Sequence, residues 1–140
     1  MTAITAITAQ NTQGVSDIHA IPPATLRAQM DAVLSDMGAD AIKIGMLHDV
    51  DTVMTVAACL QRYAAKSVVL DPVMVATSGA VLIQSTAIEA LVTQLFPLAS
   101  VVTPNLDEAA LLVGLLPSPN GYDPCFDAQA ALESRNAVLA

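Results

Sequence analysis

The sequence predicts an α/β fold in which a parallel sheet is layered with helices. The chain has 140 residues, of which 54% are hydrophobic and only 3% are aromatic, so its core must consist mainly of aliphatic side chains. Short β-branched runs alternate with segments whose apolar residues recur every three or four positions. This alternation is typical of a parallel sheet covered by helices. The length suits one domain, and we expect residues 1–140 to form a single domain.

Four short runs are predicted to be the strands of this sheet. They are residues 2–9 ("TAITAITA"), 40–45 ("DAIKIG"), 67–70 ("SVVL") and 99–103 ("ASVVT"). All four are rich in β-branched residues, which favour strands. Right-handed crossovers through helices then predict that the strands run parallel.

Apolar residues at helical spacing predict the segments between the strands. Helices are expected to start after Pro22-Pro23, after Asp49, near Ser85 and at Leu106. Helix-boundary residues support these positions: Gly38 and Pro97 as stops, Asp49 or Asp51 as one cap and Ser85 as another. The helix from Leu106 is expected to reach Gly114. Residues 117–124 are predicted to form a loop, and residues 126–140 a further amphipathic stretch.

The carboxyl ends of parallel strands share one edge of a sheet, where ligands bind in open α/β folds. Six residues that follow the predicted strands are expected to converge there: Gln10, Met46, Asp71, Val73, Asn105 and Glu108. The set combines an amide that can read a ring edge, apolar atoms for a ring face and acids for a cation. The sequence therefore predicts a small-molecule site at this edge.

Each candidate also has a purely structural interpretation. Asn105 and Glu108 fit the pattern of a helix capping box. Asp71 stands before a proline and could simply end a strand in a turn. Met46 could fill a gap in the core, and Gln10 could bond loop backbone. These alternatives remain open from the residues alone.

Other polar residues are predicted to have structural or surface roles. Lys43, inside a strand, should reach the surface or pair with an acid, and residues 77–79 should form a flexible turn. His19 and His48 have no partner at metal-ligand spacing and are predicted to be surface residues. Cys59 lies in a helical pattern and is predicted to be a buried small apolar residue.

The charge of the chain excludes several classes of partner. The net charge is −8 and only five residues are basic, which argues against nucleic acid and against an anionic membrane surface. No apolar stretch is long enough to cross a bilayer, and the N-terminus lacks the basic start of a signal peptide. A cytoplasmic location is therefore predicted.

Four segments together resemble one known family. They are "TAITAQNTQGV", "IKIGML", "VVLDPVMVATSG" and "VVTPNLDEA", and they occur in the same order and spacing in the hydroxymethylpyrimidine and phosphomethylpyrimidine kinases of thiamine biosynthesis. These kinases belong to the ribokinase superfamily, and the resemblance covers roughly residues 2–114. It implies a ribokinase-like fold and phosphorylation of 4-amino-5-hydroxymethyl-2-methylpyrimidine and its monophosphate, with ATP as co-substrate and Mg²⁺ as cofactor.

The resemblance also implies a role for each candidate residue. Gln10 matches a glutamine that hydrogen-bonds the pyrimidine, and Met46 and Val73 match apolar residues that pack on its ring. Asp71 matches an acid near the phosphates and the magnesium ion. Asn105 and Glu108 match a motif that holds the metal, largely through water. The intact family further implies a homodimer.

Some family segments have no match in residues 1–140. These are a glycine-rich opening segment and the later Lys-Gly-Gly and Gly-Thr-Gly segments, which hold the transferring phosphate and the catalytic base. We therefore assign no catalytic residue, and expect an incomplete kinase domain without measurable turnover, of low stability and prone to self-association. The alternatives are an inactive pyrimidine-binding or dimerising module, or another kinase of the ribokinase superfamily.

Overall fold

The structure, a computed structural model, describes residues 1–76 and 81–112 of the chain. The described helices and strands, in chain order, are β1 (Ala6–Asn11), β2 (Gly14–Ala20), α1 (Pro23–Asp36), β3 (Ile42–Ile44), α2 (Val50–Arg62), β4 (Val68–Leu70), α3 (Ser85–Ala90), β5 (Val101–Val102) and α4 (Leu106–Leu112). The predicted turn at residues 77–79, the loop at 117–124 and the stretch from residue 126 onward lie outside the described residues. The α/β class is confirmed.

The chain divides into two compact units, Met1–Thr103 and Pro104–Ala140. The first unit contains every described strand and the first three helices. In the second unit the structure describes only residues 104–112, which hold α4.

Three of the four predicted strands form a parallel sheet in the order β3-β4-β5. The β3–β4 ladder pairs Ile42 with Val68 and Ile44 with Leu70, and residues on this face of the sheet are mostly buried. The alternate residues, such as Lys43 and Val101, point to the opposite face and are exposed. Among the residues that the structure describes, the sheet is therefore well covered on one face only.

The prediction that residues 2–9 form the first parallel strand is wrong. Residues 6–11 belong instead to β1, which pairs antiparallel with β2 in a separate two-stranded hairpin. The side-chain Oδ1 of Asn11 accepts hydrogen bonds from the amides of Gln13 (2.8 Å) and Gly14 (3.1 Å), which reverses the chain. Period-two alternation is common to parallel and antiparallel strands, so it did not reveal the hairpin.

Helix α1 begins and ends as expected and packs against α2. Pro22 occupies its N-cap position, and Gly38 follows its end with a φ of +68°, in the left-handed region that favours glycine. On its side facing α2, Asp31 accepts hydrogen bonds from the Tyr63 hydroxyl (2.9 Å) and from the Arg62 guanidinium (3.2 Å). The bond to Asp31 raises the pKa of Tyr63 above its usual value. These contacts join the two helices through one carboxylate.

Helix α2 is fixed at its start by a side-chain cap. The Asp49 carboxylate accepts a hydrogen bond of 2.8 Å from the amide of Thr52, so Asp49 and not Asp51 is the cap. Cys59 in the same helix is only 2% exposed, which confirms the prediction of a buried thiol. Its burial raises the pKa of the thiol.

The third predicted helix departs from the expected boundaries. Ser85 is already the first residue of α3; Gln84 stands at the N-cap position and makes no side-chain cap bond, so the prediction of a Ser85 cap is wrong. The helical path continues through a π-turn over Leu91–Leu95 and a 3₁₀ turn over Phe96–Leu98 that contains Pro97. The chain becomes extended at Ala99, close to the predicted stop. Among the described helices, none combines the length and apolarity needed to cross a membrane.

Replacing Asp49 with Ala should lower the free energy of unfolding by about 1 kcal/mol, because the Thr52 amide loses its only side-chain acceptor at the helix start. Asp51→Ala is the matched control: it removes the same charge from the same turn but no cap bond, and should cost at most about 0.5 kcal/mol. Asp49→Asn should retain most of the stability, since Asn caps equally well. Urea unfolding of the three variants measures the differences, and equal losses for the two alanine variants would show that charge alone stabilises α2.

Candidate functional site

The carboxyl ends of β3 and β4 lie side by side, and β4 ends in a tight turn. The amide of Asp71, directly after β4, donates to the carbonyl of Ile44 at 2.8 Å and so extends the ladder by one residue. The amide of Val73 then donates to the carbonyl of Asp71, also at 2.8 Å, across the buried Pro72. This three-residue turn stops the strand and holds the Asp71 carboxylate at the edge of the sheet.

Lys43 reaches the Asp71 carboxylate from the neighbouring strand. Its Nζ lies 2.7 Å from Oδ2 of Asp71, because Lys43 pairs with Val69, and Asp71 lies two residues further along on the same face. The Lys43 side chain is 62% exposed and that of Asp71 is 31% exposed, so the pair adds less than about 1 kcal/mol to stability. The prediction that Lys43 pairs with an acid is confirmed, and the pair orients the carboxylate.

Met46 and Val73 follow the two neighbouring strands and are both half-buried. The carbonyl of Met46 accepts a hydrogen bond of 2.7 Å from the Thr5 hydroxyl, which ties the segment before β1 to the end of β3. Val73 is held by the turn after β4. Apolar atoms are therefore present at both strand ends, beside the Asp71–Lys43 pair.

His48 has a structural contact that the sequence did not indicate. Its Nδ1 lies 2.7 Å from the carbonyl of Leu82, and its own carbonyl accepts from the amide of Gln84 at 2.9 Å. The amide of Leu82 also bonds the carbonyl of Met74, so residues 82–84 are attached to both strand ends. His48 is half-buried, and the prediction of a surface residue is wrong. His48 and Leu82 are 34 positions apart in the chain, so no local sequence pattern could have predicted their contact.

Gln10 comes from the hairpin and not from the parallel sheet. It is exposed, lies in β1 next to a register shift between Ala9 and Gln10, and pairs with Val15. The expectation that it stands at the carboxyl end of a parallel strand is therefore wrong. Its role toward a pyrimidine stays a prediction.

Asn105 and Glu108 form a complete capping box at the start of α4. The Glu108 amide donates to Oδ1 of Asn105, and the Asn105 amide donates to Oε2 of Glu108, each at 2.9 Å. Glu108 is only 4% exposed. The capping interpretation is confirmed for both residues, and a metal role in addition to it stays a prediction.

The oxygen donors of Asp71, Asn105 and Glu108 are of the type that magnesium prefers. Within residues 1–76 and 81–112, no three His, Cys, Asp or Glu side chains stand close enough together to hold a metal ion. Magnesium keeps several of its waters and binds through one or two carboxylates together with substrate phosphates. The carboxylates of Asp71 and Glu108 and the amide of Asn105 are donor types of this kind, and their joint use in one metal site stays a prediction.

Comparison with known proteins assigns the chain to a family. A family model described as phosphomethylpyrimidine kinase matches residues 1–139. The hydroxymethylpyrimidine/phosphomethylpyrimidine kinase of Escherichia coli is 48% identical over 137 residues, which are 98% of this chain and 49% of that protein. This chain therefore spans about half the length of that relative.

Solved structures show the same relationship. The crystal structure of phosphomethylpyrimidine kinase from Clostridium difficile 630 has a TM-score of 0.77 and 33% identity, and the match covers 99% of this chain and 57% of that one. The pyridoxal kinase of Staphylococcus aureus in complex with pyridoxal has a TM-score of 0.75 and 31% identity, covering 99% and 47%. The fold is thus that of the ribokinase-like kinases, and the chain belongs to the phosphomethylpyrimidine kinase family.

Proposed function

We propose that this chain supplies the pyrimidine-facing and metal-facing part of a kinase that phosphorylates 4-amino-5-hydroxymethyl-2-methylpyrimidine and its monophosphate with ATP. The observation that carries the proposal is the family match over residues 1–139. It is supported by the position of Asp71, whose carboxylate is held at the carboxyl edge of the parallel sheet. A cytoplasmic homodimer is part of the same proposal.

The reaction transfers the γ-phosphoryl group of ATP to an oxygen of the substrate. In the first step the hydroxymethyl oxygen forms a bond to the γ-phosphorus, the bond to ADP breaks, and the hydroxyl proton leaves to a base. In the second step an oxygen of the monophosphate attacks in the same way. Such reactions depend mainly on positioning and on neutralising phosphate charge. No residue of this chain is assigned as the base.

The proposed substrate contacts follow from the chemistry of an aminopyrimidine. The Gln10 side-chain amide offers both a donor and an acceptor, which suits a ring nitrogen next to an exocyclic amine. Met46 and Val73 offer polarizable and apolar atoms to the ring faces from neighbouring strand ends. These three residues would fix the orientation of the ring.

A magnesium ion, when bound, would supply neutralisation of the phosphate charge of ATP. Asp71, Asn105 and Glu108 would hold it, largely through water molecules. Lys43 holds one oxygen of Asp71, which fixes the direction of the carboxylate along the strand edge. The Asn105 and Glu108 side chains are held in their capping positions by α4 itself.

Two alternatives remain. The likeness to pyridoxal kinase favours, as a second candidate, another kinase of the superfamily that acts on a different ring. A pyrimidine-binding or dimerising module without turnover is a third. A competition assay between hydroxymethylpyrimidine and pyridoxal separates the first two candidates. Ligand binding without turnover would identify the third.

A chimera tests the proposal and the role of Gln10 together. This chain would replace the 137 matched residues of the Escherichia coli kinase, and phosphate transfer from ATP to hydroxymethylpyrimidine would be measured. The chimera should be active, and Gln10→Leu should raise the KM for the pyrimidine roughly tenfold or more, because a ring polar group loses its partner. The control is Gln13→Leu, which changes another exposed glutamine in the same hairpin and should leave the KM for the pyrimidine unchanged. A folded chimera that phosphorylates only pyridoxal, or that binds the pyrimidine without turnover, would refute the proposal.

The same chimera separates helix capping from metal binding at Glu108. Glu108→Gln keeps a capping side chain, so the melting temperature should change by no more than a few degrees. The Mg²⁺ concentration for half-maximal rate should rise severalfold, because a charge near the metal is lost. Asp71→Asn should raise this Mg²⁺ concentration likewise. Asp107→Asn, which removes another acid from the same helix turn as Glu108, should leave it unchanged. Equal magnesium dependence in parent and Glu108→Gln would leave Glu108 as a cap only.

A further inference from the structure

His48 lies two residues after Met46 and joins the end of β3 to a later part of the chain. Its Nδ1 lies 2.7 Å from the carbonyl oxygen of Leu82. Its own carbonyl accepts a hydrogen bond of 2.9 Å from the amide of Gln84. The side chain and the backbone of His48 therefore hold both ends of residues 82–84, a segment that begins 34 positions further along the chain.

The chemistry of the contact determines which ring nitrogen of His48 carries a hydrogen. A carbonyl oxygen can only accept, so Nδ1 must be the donor. Leu82 is 5% exposed, and its carbonyl would be costly to leave without a donor. Because Nδ1 carries a hydrogen both in this neutral tautomer and in the protonated ring, the bond forms in either protonation state. The contact is therefore a constant structural bond and not a pH switch.

Leu82 bonds in turn to the chain that follows β4. Its amide donates to the carbonyl of Met74 at 2.8 Å, and Val75 and Val81 form an antiparallel bridge beside this bond. Met74 is completely buried, so close packing adds to the bond in holding it. We call the two bonds, from His48 to Leu82 and from Leu82 to Met74, the Leu82 bridge.

The Leu82 bridge lies beyond both residues that are proposed to pack on the substrate ring. The last rung between β3 and β4, from the Asp71 amide to the Ile44 carbonyl, lies two residues before Val73 and two residues before Met46. Each residue has two soft backbone dihedrals, so this rung alone leaves several angles undetermined at the ring contacts. The bridge supplies a second fixed point, and the two strand ends are held from both sides.

We propose that His48 is a positioning residue, which acts through the Leu82 bridge to set the separation of Met46 and Val73 and so the fit of the substrate ring between them. This inference rests on the proposed function, because it takes Met46 and Val73 as the ring contacts. His48 does not need to touch the substrate for this role. Contacts that are fixed in advance favour binding, because they need no further ordering when the ring enters.

Asparagine and leucine in place of His48 form the matched pair that tests this role. Both side chains branch at the same carbon as histidine, but only asparagine has a donor in place of Nδ1. In the chimera with the Escherichia coli kinase, His48→Leu should raise the KM for hydroxymethylpyrimidine about fivefold or more and leave kcat within about twofold, because contacts made equally in the ground and transition states are weakened. His48→Asn should leave both constants within about twofold of the parent, since the donor is kept. The control is His19→Leu, which removes an exposed histidine of β2 and should change neither constant.

Hydrogen exchange of the full chain reports on the Leu82 bridge without any substrate. In His48→Leu the amides of Leu82 and Gln84 should exchange about tenfold or more faster, because a buried carbonyl has lost its donor and residues 82–84 open more often. In His48→Asn both amides should exchange at about the parent rate, since the bond is restored.

The two measurements separate positioning from a purely structural role. Faster exchange in His48→Leu with an unchanged KM, or with only a fall in kcat from loss of folded protein, would make His48 structural and would overturn the proposal. Unchanged exchange in His48→Leu, or an equal rise of KM in the leucine and asparagine variants, would overturn it as well.

Failure of the proposed function is visible in the parent chimera alone, whereas failure of this inference is visible only when the variants are compared with the parent. If the parent phosphorylates pyridoxal only, the same comparison is made with the KM for pyridoxal. If the parent binds the pyrimidine without turnover, the Kd for the pyrimidine takes the place of KM. A parent chimera that binds neither ring would overturn both.

Discussion

The candidate site depends on a parallel ladder between two strands of only three residues each. The bond from the Asp71 amide to the Ile44 carbonyl is the last rung of this ladder, and the turn at Pro72 begins directly after it. Without this rung the Asp71 carboxylate would have no fixed position relative to Lys43. A short ladder can do this because Val68 and Leu70 are almost completely buried, so burial rather than ladder length fixes the strand.

The polar side chains proposed to bind the metal are each held by structural bonds. Asp71 pairs with Lys43 through one carboxylate oxygen, and a salt bridge this exposed adds little to stability. Asn105 and Glu108 complete a capping box, which fixes both side chains at a helix start where negative charge is favoured. Such bonds hold the side chains in place in advance of any ligand.

Within the described residues, the parallel sheet is covered on one face only. Parallel sheets are normally buried on both faces and bounded by further strands, yet β3 is an edge among the described strands and Val101 is half exposed. The exposed face reflects a shortage of covering elements within the described residues. Burial of such a face would stabilise it, since apolar area removed from water contributes about 25 cal/mol per Å².

The sequence by itself determined the α/β class, through the alternation of strand and helix patterns along the chain. It also determined α1, the start of α2 to within two residues, the three strands of the described parallel sheet and the capping box of α4, because each of these depends on residues close together in the chain. Only the tertiary structure decided that residues 6–11 pair with β2, since alternation does not specify a partner strand. It also decided the contact of His48 with Leu82 and the direction of Lys43 toward Asp71, which join residues 34 and 28 positions apart. Contacts at such separations depend on strand register, and register is set by burial of the whole sheet face and not by any local pattern.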